Sequence, residues 1–558
     1  MRRWTSMFCI ALACSVTLGL AGSAWPAPGQ LISHTKISQA NLPPLTLSDG
    51  DEFGDNVVGL GDLDGAGPGV AAIAVGSILD DDGGHNRGSV YIFFLNASGG
   101  ILSQQKISQT QGNFTATLHD DDVLGTGLAW LGDLDGPGGS VGALAIGTIN
   151  DDDGGAERGA VYICFLNSDG TVMSHTKISN ISGGFTGALD NGDEFGGAIC
   201  GLGDLDGDGP SAMAIAVGAN RDDDGGFDRG AVWILYLNSD GTVRSHTKIS
   251  SIQGMSGAIT DTDGFGEKVA NLGDLDGPGP AVVTLASSSC TDDDGGNDRG
   301  AVYVIFLNSD GGVLSYQKIS NTAGNFGGFL MDGDSFGAGL GALGDLDGPG
   351  SSAGAIAVGA SNADGLGFDR GTIFTLLLDN AGSVISYEEI SSSTGTLDGA
   401  IHDTDELGGC AGWAGDIDGP SGSAGVILAG VGMDDDGALD AGAVYLLYVD
   451  GENTPLAVQP PASSGLIGVS RVRPNPFRTG TNVSFRLSEA GRVKLDVFDP
   501  GGRLVRRLVD RQDGPGDGQV TWNGLDDSGR ALATGCYLIR MTVNGRVLSR
   551  AAKAVLLR

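Results

Sequence analysis

One short motif, Gly-Asp-Leu-Asp-Gly or its isoleucine variant, recurs six times along this 558-residue chain. Its copies begin at positions 61, 132, 203, 273, 344 and 415, so they are 71, 71, 70, 71 and 71 residues apart. A nearly constant spacing of this length indicates one repeated supersecondary unit, and each unit buries its apolar face against its neighbours. The chain is therefore expected to fold as an array of six equivalent blocks.

The composition limits the fold class and the kind of partner. Glycine supplies 99 residues and aromatic residues only 6%, which suits short strands joined by tight turns better than large helical cores. The 31 basic and 69 acidic residues give a formal charge of −38, which disfavours nucleic acid because phosphate binding depends on basic side chains. From position 466 onward the balance is +8, which leaves −46 on the preceding part, so two modules with different surfaces are expected.

The third repeat shows how one unit is built. Residues 214–217 and 231–237 are continuously apolar, which is typical of strands covered on both faces. Residues 198–202 precede the acidic turn, and residues 245–250 are more polar, as expected for an exposed outer strand. Four antiparallel strands in each repeat predict the blade of a β-propeller.

The two ends of the array predict that it closes. Residues 31–38 have the sequence of a fourth strand and precede the first repeat, whereas the sixth repeat stops after residues 443–448 without one. The N-terminal segment is expected to supply the missing strand, which protects edges that an open solenoid would expose. The predicted fold class is all-β, with a six-bladed propeller over residues 31–451 and a seven-bladed ring as the alternative.

Short motifs at equivalent positions give the repeats a family resemblance. A Phe-Gly pair opens four repeats, and the Asp-x-Asp-Gly turn, Ala-Val-Gly-Ala and Gly-Ala-Val-Tyr follow in order. The Phe-Gly pairs are Phe53-Gly54, Phe195-Gly196, Phe265-Gly266 and Phe336-Gly337. Over roughly residues 31–450 the chain resembles FG-GAP repeats, which build the propeller of integrin α subunits. The resemblance implies a propeller fold and a calcium ion bound by the Asp-rich turn between the first two strands of a blade.

The Asp-x-Asp-Gly turns are the first candidate metal sites. Calcium takes six to eight oxygen ligands, and short loops supply them by alternating carboxylates with glycines. The third repeat has carboxylates at the first, third and fifth positions of its turn, Asp204, Asp206 and Asp208. The other repeats supply the pairs Asp62/Asp64, Asp133/Asp135, Asp274/Asp276, Asp345/Asp347 and Asp416/Asp418. The alternative is that these aspartates cap the turn through hydrogen bonds to its backbone.

A second acidic loop follows eighteen residues after the first aspartate of each turn. Five repeats carry an aspartate triplet, at 80–82, 151–153, 222–224, 292–294 and 434–436, and the fifth repeat lacks it. In the third repeat Asp222, Asp224 and Asp228 are a second candidate calcium set. The alternative is a solvated acidic loop whose carboxylates pair with the arginine that follows, such as Arg229. In either case, divalent cations would relieve the repulsion within so much negative charge.

Catalysis would require a set of acid, base and nucleophile that breaks the repeat symmetry, and the sequence shows none. Most histidines and paired carboxylates recur at equivalent positions of several repeats, which is typical of a scaffold. The chain is therefore predicted not to be an enzyme, with no catalytic residues. Two alternatives stay open, an extracellular hydrolase or lyase acting on polysaccharide or phospholipid, and a structural surface-layer component.

Residues 1–24 have the layout of a secretory signal peptide. Arg2 and Arg3 precede an apolar run over residues 7–20, and the small residues 21–24 follow it. A membrane anchor is the alternative, although the run is shorter than the ~20 apolar residues of a spanning helix. Since no later segment is long and apolar enough to span a bilayer, a secreted or surface-displayed bacterial protein is expected.

The C-terminal part is predicted to be a separate β-sandwich. Residues 452–465 are rich in proline and serine, as expected for a linker, and strand-length runs with turns between them fill residues 466–558. The segments 473–477, 522–524 and 535–537 resemble the flagellar hook-capping (FlgD-type) Ig-like domain and the related sorting domains of type IX secretion. The resemblance implies export machinery as a partner, or anchoring to the surface, and a plain spacer is the alternative. The expected function is calcium-assisted recognition or adhesion of an extracellular protein or polysaccharide.

Overall fold

The computed structural model describes most of the chain between residues 27 and 557. The described ranges are 27–41, 47–65, 67, 70–136, 139–207, 213–348, 352–364, 367–394, 397, 400–419, 423–436, 438–451, 469–473, 477–487, 491–499, 503–514, 516–543, 546–547 and 552–557. The predicted signal peptide, the linker at 452–465 and Asp208 lie outside them. Within these ranges no helix has the length and apolarity that a membrane crossing requires.

The repeats form six four-stranded antiparallel sheets, so the predicted all-β fold class is confirmed. The first sheet contains β2 (Phe53–Gly61), β3 (Val70–Ser77), β4 (Ser89–Asn96) and β5 (Ile101–Ile107). The second contains β6 (Leu128–Gly132), β7 (Gly142–Thr148), β8 (Ala160–Leu166) and β9 (Val172–Ser179). The third contains β10 (Ile199–Gly203), β11 (Ala214–Ala219), β12 (Ala231–Leu237) and β13 (Val243–Ser250).

The remaining three sheets follow the same order with one exchange. The fourth contains β14 (Val269–Asn271), β15 (Val283–Ser289), β16 (Ala301–Leu307) and β17 (Val313–Ser320). The fifth contains β18 (Phe336–Gly344), β19 (Gly354–Ala360), β20 (Thr372–Leu378) and β21 (Val384–Ser391). The sixth contains β22 (Cys410–Trp413), β23 (Gly425–Val431), β24 (Ala443–Val449) and, from the N-terminus, β1 (Leu31–Ser38). A single 3-10 turn at Gln39–Asn41 follows β1.

Burial within a sheet follows the apolar content of its strands. In the third sheet, β11 and β12 are buried at every position, because neighbouring sheets cover both of their faces. The outer strand β13 is exposed near its start and buried only at its ends. The sequence Val-Arg-Ser-His-Thr-Lys-Ile-Ser therefore reflects a position at the rim.

The N-terminal strand pairs with the end of the repeat array. β1 is antiparallel to β24, with Ile37 opposite Val444 and Lys36 opposite Tyr445. The Ile37 side chain is 1% exposed and belongs to an apolar cluster with Phe53 of the first sheet. A strand from residues 31–38 thus completes a sheet whose other strands come from residues 410–449.

The six sheets are arranged in a closed, propeller-like ring. The first strands contact one another in sequence order, β2 with β6, β6 with β10, β10 with β14, β14 with β18 and β18 with β22, and β22 returns to β2. Each neighbouring pair of sheets shares a buried apolar cluster, and the sixth sheet shares one with the first. The hydrophobic core is therefore distributed between the sheets rather than gathered at one centre.

The glycine of the Phe-Gly motif is required by this close packing. Gly54 has a φ of 104°, in the region that favours glycine, and a Cβ there would overlap with the carbonyl oxygen of Ala443 in the sixth sheet. Gly196 has a φ of 111° and the same relation to Ala160 in the second sheet. The motif therefore marks where one sheet meets the preceding one.

Two further sheets form the C-terminal module. One contains β25 (Val469–Arg473), β26 (Thr481–Leu487) and β29 (Gly516–Trp522). The other contains β27 (Gly491–Phe498), β28 (Leu504–Asp513), β30 (Gly535–Val543), β31 (Arg546–Val547) and β32 (Ala552–Leu556). Phe485 and Trp522 of the first sheet and Leu495 and Ile539 of the second share one buried core, as in a β-sandwich.

Candidate functional site

Each Asp-x-Asp-Gly turn follows the first strand of its sheet. The middle residue is buried in every repeat, as with Leu205 at 2% exposure, whereas the first aspartate is exposed in all six. The exposed first aspartates are Asp62, Asp133, Asp204, Asp274, Asp345 and Asp416. An apolar anchor thus holds each turn on the ring while its leading carboxylate faces solvent.

The carboxylates of these turns accept hydrogen bonds from the loops that follow. Asp135 Oδ2 accepts from the backbone N–H of Ser140 at 2.8 Å, and Asp418 Oδ2 accepts from that of Ser423 at 2.9 Å. The other turn bonds join Asp62 to Gly67, Asp276 to Ala281, Asp347 to the Ser352 hydroxyl and Asp416 to Gly419. In five repeats at least one aspartate of the pair therefore accepts a hydrogen bond from the residues that follow it, and the role of the pairs as metal ligands stays a prediction.

The turn of the first repeat exposes Asp64, which the sequence pairs with Asp62 as a candidate metal ligand. Asp64 is exposed, whereas the third-position aspartates of the other five repeats are partly or fully buried. Asp62 is exposed as well and accepts the backbone N–H of Gly67 at 3.1 Å. No group of three metal-ligating side chains forms around Asp64 in the part of the chain that the structure describes. The role of Asp62 and Asp64 as metal ligands stays a prediction.

The turn of the third repeat, the richest in carboxylates, is contacted by an arginine. Arg244 Nη2 of β13 donates to Asp206 Oδ2 at 2.7 Å, and Asp204 is exposed beside it. At the position of Arg244 the neighbouring repeats carry Met173 and Leu314, which expose their side chains. Within the described residues, no three His, Cys, Asp or Glu side chains converge closely enough to hold a metal ion.

A lysine occupies the second acidic loop in five repeats. Lys248 of β13 lies between Asp222 and Asp224, with Nζ–Oδ2 distances of 2.6 and 2.7 Å. The equivalent groups, which we call lysine clamps, are Lys36 with Asp434/Asp436, Lys106 with Asp80/Asp82, Lys177 with Asp151/Asp153 and Lys318 with Asp292/Asp294. The ammonium group thus lies where the sequence predicted calcium for Asp222 and Asp224.

In each clamp the lysine Nζ lies over the face of an aromatic ring. Trp233 of β12 lies opposite Lys248 in the strand register, and Lys248 Nζ is 5.0 Å from the ring centroid. Tyr91, Tyr162, Tyr303 and Tyr445 take the same position under the other lysines, at 5.3 to 5.6 Å. The ammonium therefore gains a cation–π contact as well as two carboxylates, which offsets its partial loss of water.

The middle aspartate of each triplet has a different role. Asp223 Oδ1 accepts from the backbone N–H of Asp228 at 2.8 Å, so Asp228, predicted as a ligand, contributes its N–H to the loop. Asp81, Asp152, Asp293 and Asp435 make the same bond in their repeats. The middle carboxylate caps the loop, whereas its two neighbours hold the lysine.

The fifth repeat tests this division of roles within the chain itself. It replaces the clamp lysine by Glu389 and the two clamp aspartates by Ala363 and Gly365, but it keeps the middle aspartate as Asp364. The supporting ring becomes Phe374, which is opposite Glu389 in the register. Since all three charged members of the clamp are lost together, the two aspartates are present to hold the lysine.

An arginine at the end of the second acidic loop joins neighbouring repeats in each of the first five repeats. Arg229 Nε donates to Asp261 Oδ1 in the connection to the fourth repeat at 2.7 Å. Equivalent bonds join Arg87 to Asp120, Arg158 to Asn191, Arg299 to Asp332 and Arg370 to Asp403. These arginines contact the connection to the next repeat, whereas the lysines contact the triplets.

Buried aspartates in the connections between repeats have raised pKa values. Burial raises the pKa of Asp51 and of Asp122 to about 6 and that of Asp193 to about 7. Each accepts a backbone N–H from three residues earlier, as Asp193 does from Asp190 at 2.8 Å. Desolvation outweighs this hydrogen bond, so the charged forms are disfavoured in the folded protein.

These shifts predict that stability changes with pH in two opposite directions. The pKa values raised above that of the unfolded chain disfavour the folded state as pH rises from about 4 to 7. Against the effect of burial, hydrogen bonds and Lys106 lower the pKa of Asp82 to about 2, and the stability it contributes is lost as pH falls below about 4. We expect the melting temperature to be highest near pH 4, and the Asp193→Asn variant to flatten its fall between pH 4 and 7. A melting temperature that rises steadily from pH 4 to 7 would contradict this.

A central cavity of about 190 Å³ is lined by the first strands of all six sheets. Its wall includes Lys268, which directly follows Glu267 in the sequence. The other repeats carry alanine, glycine, asparagine or cysteine at the position of Lys268. Burial lowers the pKa of Lys268, but the nearby Glu267 and Asp55 carboxylates raise it above its ordinary value. Burial raises the pKa of Asp55, and the positive charge of Lys268 opposes that rise. This mixed group breaks the repeat symmetry and was missed by sequence reasoning, although the departure of residues 267–268 from the other repeats was visible.

The C-terminal module matches a known family. Residues 473–546 match the FlgD Ig-like domain. This segment lies within the predicted module at 466–558, so the predicted FlgD-type Ig-like domain is confirmed there. No curated protein matches the chain.

Solved structures match the chain only distantly. PorZ of Porphyromonas gingivalis, an essential surface component of the type IX secretion system, is 13% identical over 87% of this chain and 58% of PorZ, with a TM-score of 0.33. The chain therefore spans little more than half of PorZ. FlgD from P. aeruginosa is 20% identical over 16% of this chain and 71% of FlgD, with a TM-score of 0.13. A family 43 arabinoxylan arabinofuranohydrolase from Bacillus subtilis is 10% identical over 92% of this chain and 98% of that enzyme, with a TM-score of 0.26.

Proposed function

We propose that this chain is a secreted or cell-surface, non-enzymatic recognition or adhesion protein. Its platform is a six-bladed propeller over residues 31–451, joined by the linker at 452–465 to a C-terminal module that serves export or anchoring. The observation that carries the proposal is the repeated use of acidic side chains to hold the loops of the ring. Lysine clamps, turn caps and arginine bridges occupy the repeated carboxylates, which suits a rigid scaffold that presents loops.

Binding to an extracellular protein or polysaccharide tests the recognition function. We expect the purified propeller to bind a bacterial or host cell surface saturably in a pull-down, and pretreating that surface with protease or glycosidase separates the two ligand classes. Absence of saturable binding to surfaces and to an array of polysaccharides would leave a structural surface-layer component as the better description.

Removal of the C-terminal module tests the export function. The match to the FlgD Ig-like domain at 473–546 supports a module that is separate from the ring. We expect a chain that stops after Gly451 to fold but to be missing from the cell surface and the medium of its host, because the part recognised by the export machinery is gone. Normal secretion of the truncated chain, measured by immunoblot of cell fractions, would make the module a spacer.

Calcium is proposed at the turn of the third repeat, where hard oxygen donors are densest. Asp204 and Asp206 would supply carboxylates, and Arg244, which holds Asp206, would compete with the ion. We expect Arg244→Ala to tighten calcium binding in a calorimetric titration and Asp204→Ala/Asp206→Ala to abolish it. If Arg244→Ala leaves the titration unchanged, calcium does not bind at this turn.

A hydrolase or lyase acting on polysaccharide or phospholipid is the second candidate function. Lys268 lines the central cavity and has no counterpart in the other repeats, which favours this candidate because catalytic groups need to break the repeat symmetry. Activity on a polysaccharide or phospholipid panel that Lys268→Met removes, without a change in melting temperature, would establish an enzyme.

A further inference from the structure

Three repeats place a glutamate directly before the residue that opens the repeat. These are Glu52, Glu194 and Glu406, at the same repeat position and with left-handed φ angles of 50°, 56° and 59°. Glu194 is 8% exposed and the other two are partly buried. Because the three glutamates occupy equivalent backbone positions, the surroundings of Glu194 can be compared directly with those of Glu52 and Glu406.

The third repeat supplies its glutamate with a cation. Arg221, which follows β11, has its Nη1 atom 3.1 Å from Glu194 Oε1. The residue at the position of Arg221 is Leu79 in the first repeat and Met433 in the sixth. Neither of these two repeats therefore has an arginine at this position to pair with its own glutamate.

The two glutamates without an arginine share one cavity. Glu52 and Glu406 both line a space of about 80 Å³ between the first and sixth sheets, together with Asp55, Cys410 and Met433. Among the residues that the structure describes, neither of these two glutamate side chains forms a hydrogen bond or an ion pair. The cavity lies beside the position of Met433, where Arg221 stands in the third repeat.

The surroundings of these carboxylates favour a cationic occupant. Burial raises the pKa of Glu52 to about 7, and Asp55, Asp440 and Glu406 add to the effect. Burial, Asp369 and Asp440 also raise the pKa of Glu406. A bound cation would relieve both the repulsion and the loss of water. Among the described residues no three metal-ligating side chains converge at this cavity.

We propose that the cavity between Glu52 and Glu406 binds the guanidinium group of an arginine side chain on a protein partner. The inference rests on the recognition function proposed above and names the chemistry of its partner. A planar guanidinium presents five donors and can bridge two carboxylates, whereas an ammonium presents a compact point charge. The side chain of Met433 offers an apolar surface for the methylene stem of the incoming arginine.

Calorimetric titration with N-acetyl-L-arginine amide at constant ionic strength tests the inference. We expect one saturable site, a weaker signal for N-acetyl-L-lysine amide, and affinity that falls as pH is lowered from 8 to 6 because Glu52 becomes protonated. Glu52→Gln/Glu406→Gln should weaken binding by roughly tenfold or more, since each lost hydrogen bond to a charged group costs at least about that factor.

Two further variants separate binding from folding. Met433→Arg copies the third repeat, so we expect it to fill the cavity, abolish binding of the arginine probe and raise the melting temperature. Glu194→Gln is the matched control, since it removes a carboxylate already paired with Arg221 and should leave probe binding unchanged. No saturable binding, equal binding of the lysine probe, or wild-type binding by Met433→Arg would overturn the inference. If the protein still binds a cell surface in that case, the recognition function stands without it.

Discussion

Lys248→Met is expected to destabilise the protein by about 3 to 5 kcal/mol, which is typical of removing one partner from a buried ion pair. The lysine balances Asp222, whose side chain is 3% exposed, and Asp224, which is 35% exposed. Methionine keeps the length of the side chain and its contact with Trp233 but leaves two carboxylates close together without a cation. Urea unfolding followed by circular dichroism would measure the loss.

The fifth repeat provides the matched control for this variant. It has Glu389, Ala363 and Gly365 at the positions of Lys248, Asp222 and Asp224. We expect the triple variant Lys248→Glu/Asp222→Ala/Asp224→Gly to recover most of the stability lost in Lys248→Met, because it removes the buried charges together with their counter-ion. If the triple variant is less stable than Lys248→Met, the clamp residues are not coupled in the way proposed here.

Deletion of residues 27–38 is expected to prevent formation of a stable monomer. Without β1, the hydrogen-bonding edge of β24 and the apolar residues around Ile37 become exposed, and an open edge strand promotes aggregation. We expect the deleted chain to aggregate or to run as oligomers in size-exclusion chromatography with light scattering. The milder Ile37→Ala variant should stay monomeric but lose about 2 to 5 kcal/mol, as for other large-to-small changes in a core.

Adding the missing strand back separates an edge effect from general misfolding. A synthetic peptide covering residues 27–41 should bind the freshly refolded deleted chain and restore a monomeric ring, because the register with β24 is set by seven paired positions from Leu31 to Ser38. A control peptide with Ile37→Asp should fail. A deleted chain that is monomeric and as stable as the full protein would show that β1 does not hold the ring closed.

The division into an acidic repeat array and a C-terminal Ig-like module follows from the sequence. Most of the buried second and third strands appear as apolar runs, such as β12, because both of their faces are covered and burial disfavours polar side chains. The phase of the repeat shows that residues 31–38 have an outer-strand sequence without a repeat of their own. Patterns of this kind depend on the identity of each residue and its spacing from the next, so they can be read without coordinates.

The roles of the acidic residues could not be read in the same way. Asp222, Asp223 and Asp224 are identical in type and adjacent in sequence, yet two hold Lys248 and the third caps the loop through Asp228. Lys248 lies 24 residues beyond Asp224 and reaches it only because β13 pairs with β12 in the observed register. Arg229 likewise meets Asp261 only where one repeat packs on the next.

The sequence by itself therefore determined the number and boundaries of the repeats, the type of strand at each position and the separate C-terminal module, because periodicity and hydrophobic patterning are local properties. Only the tertiary structure decided which charged side chains form ion pairs with each other. Ion pairing depends on distances of a few ångströms across strands and between sheets. For the same reason it was the structure that paired Glu194 with Arg221 and placed Glu52 and Glu406 at one cavity.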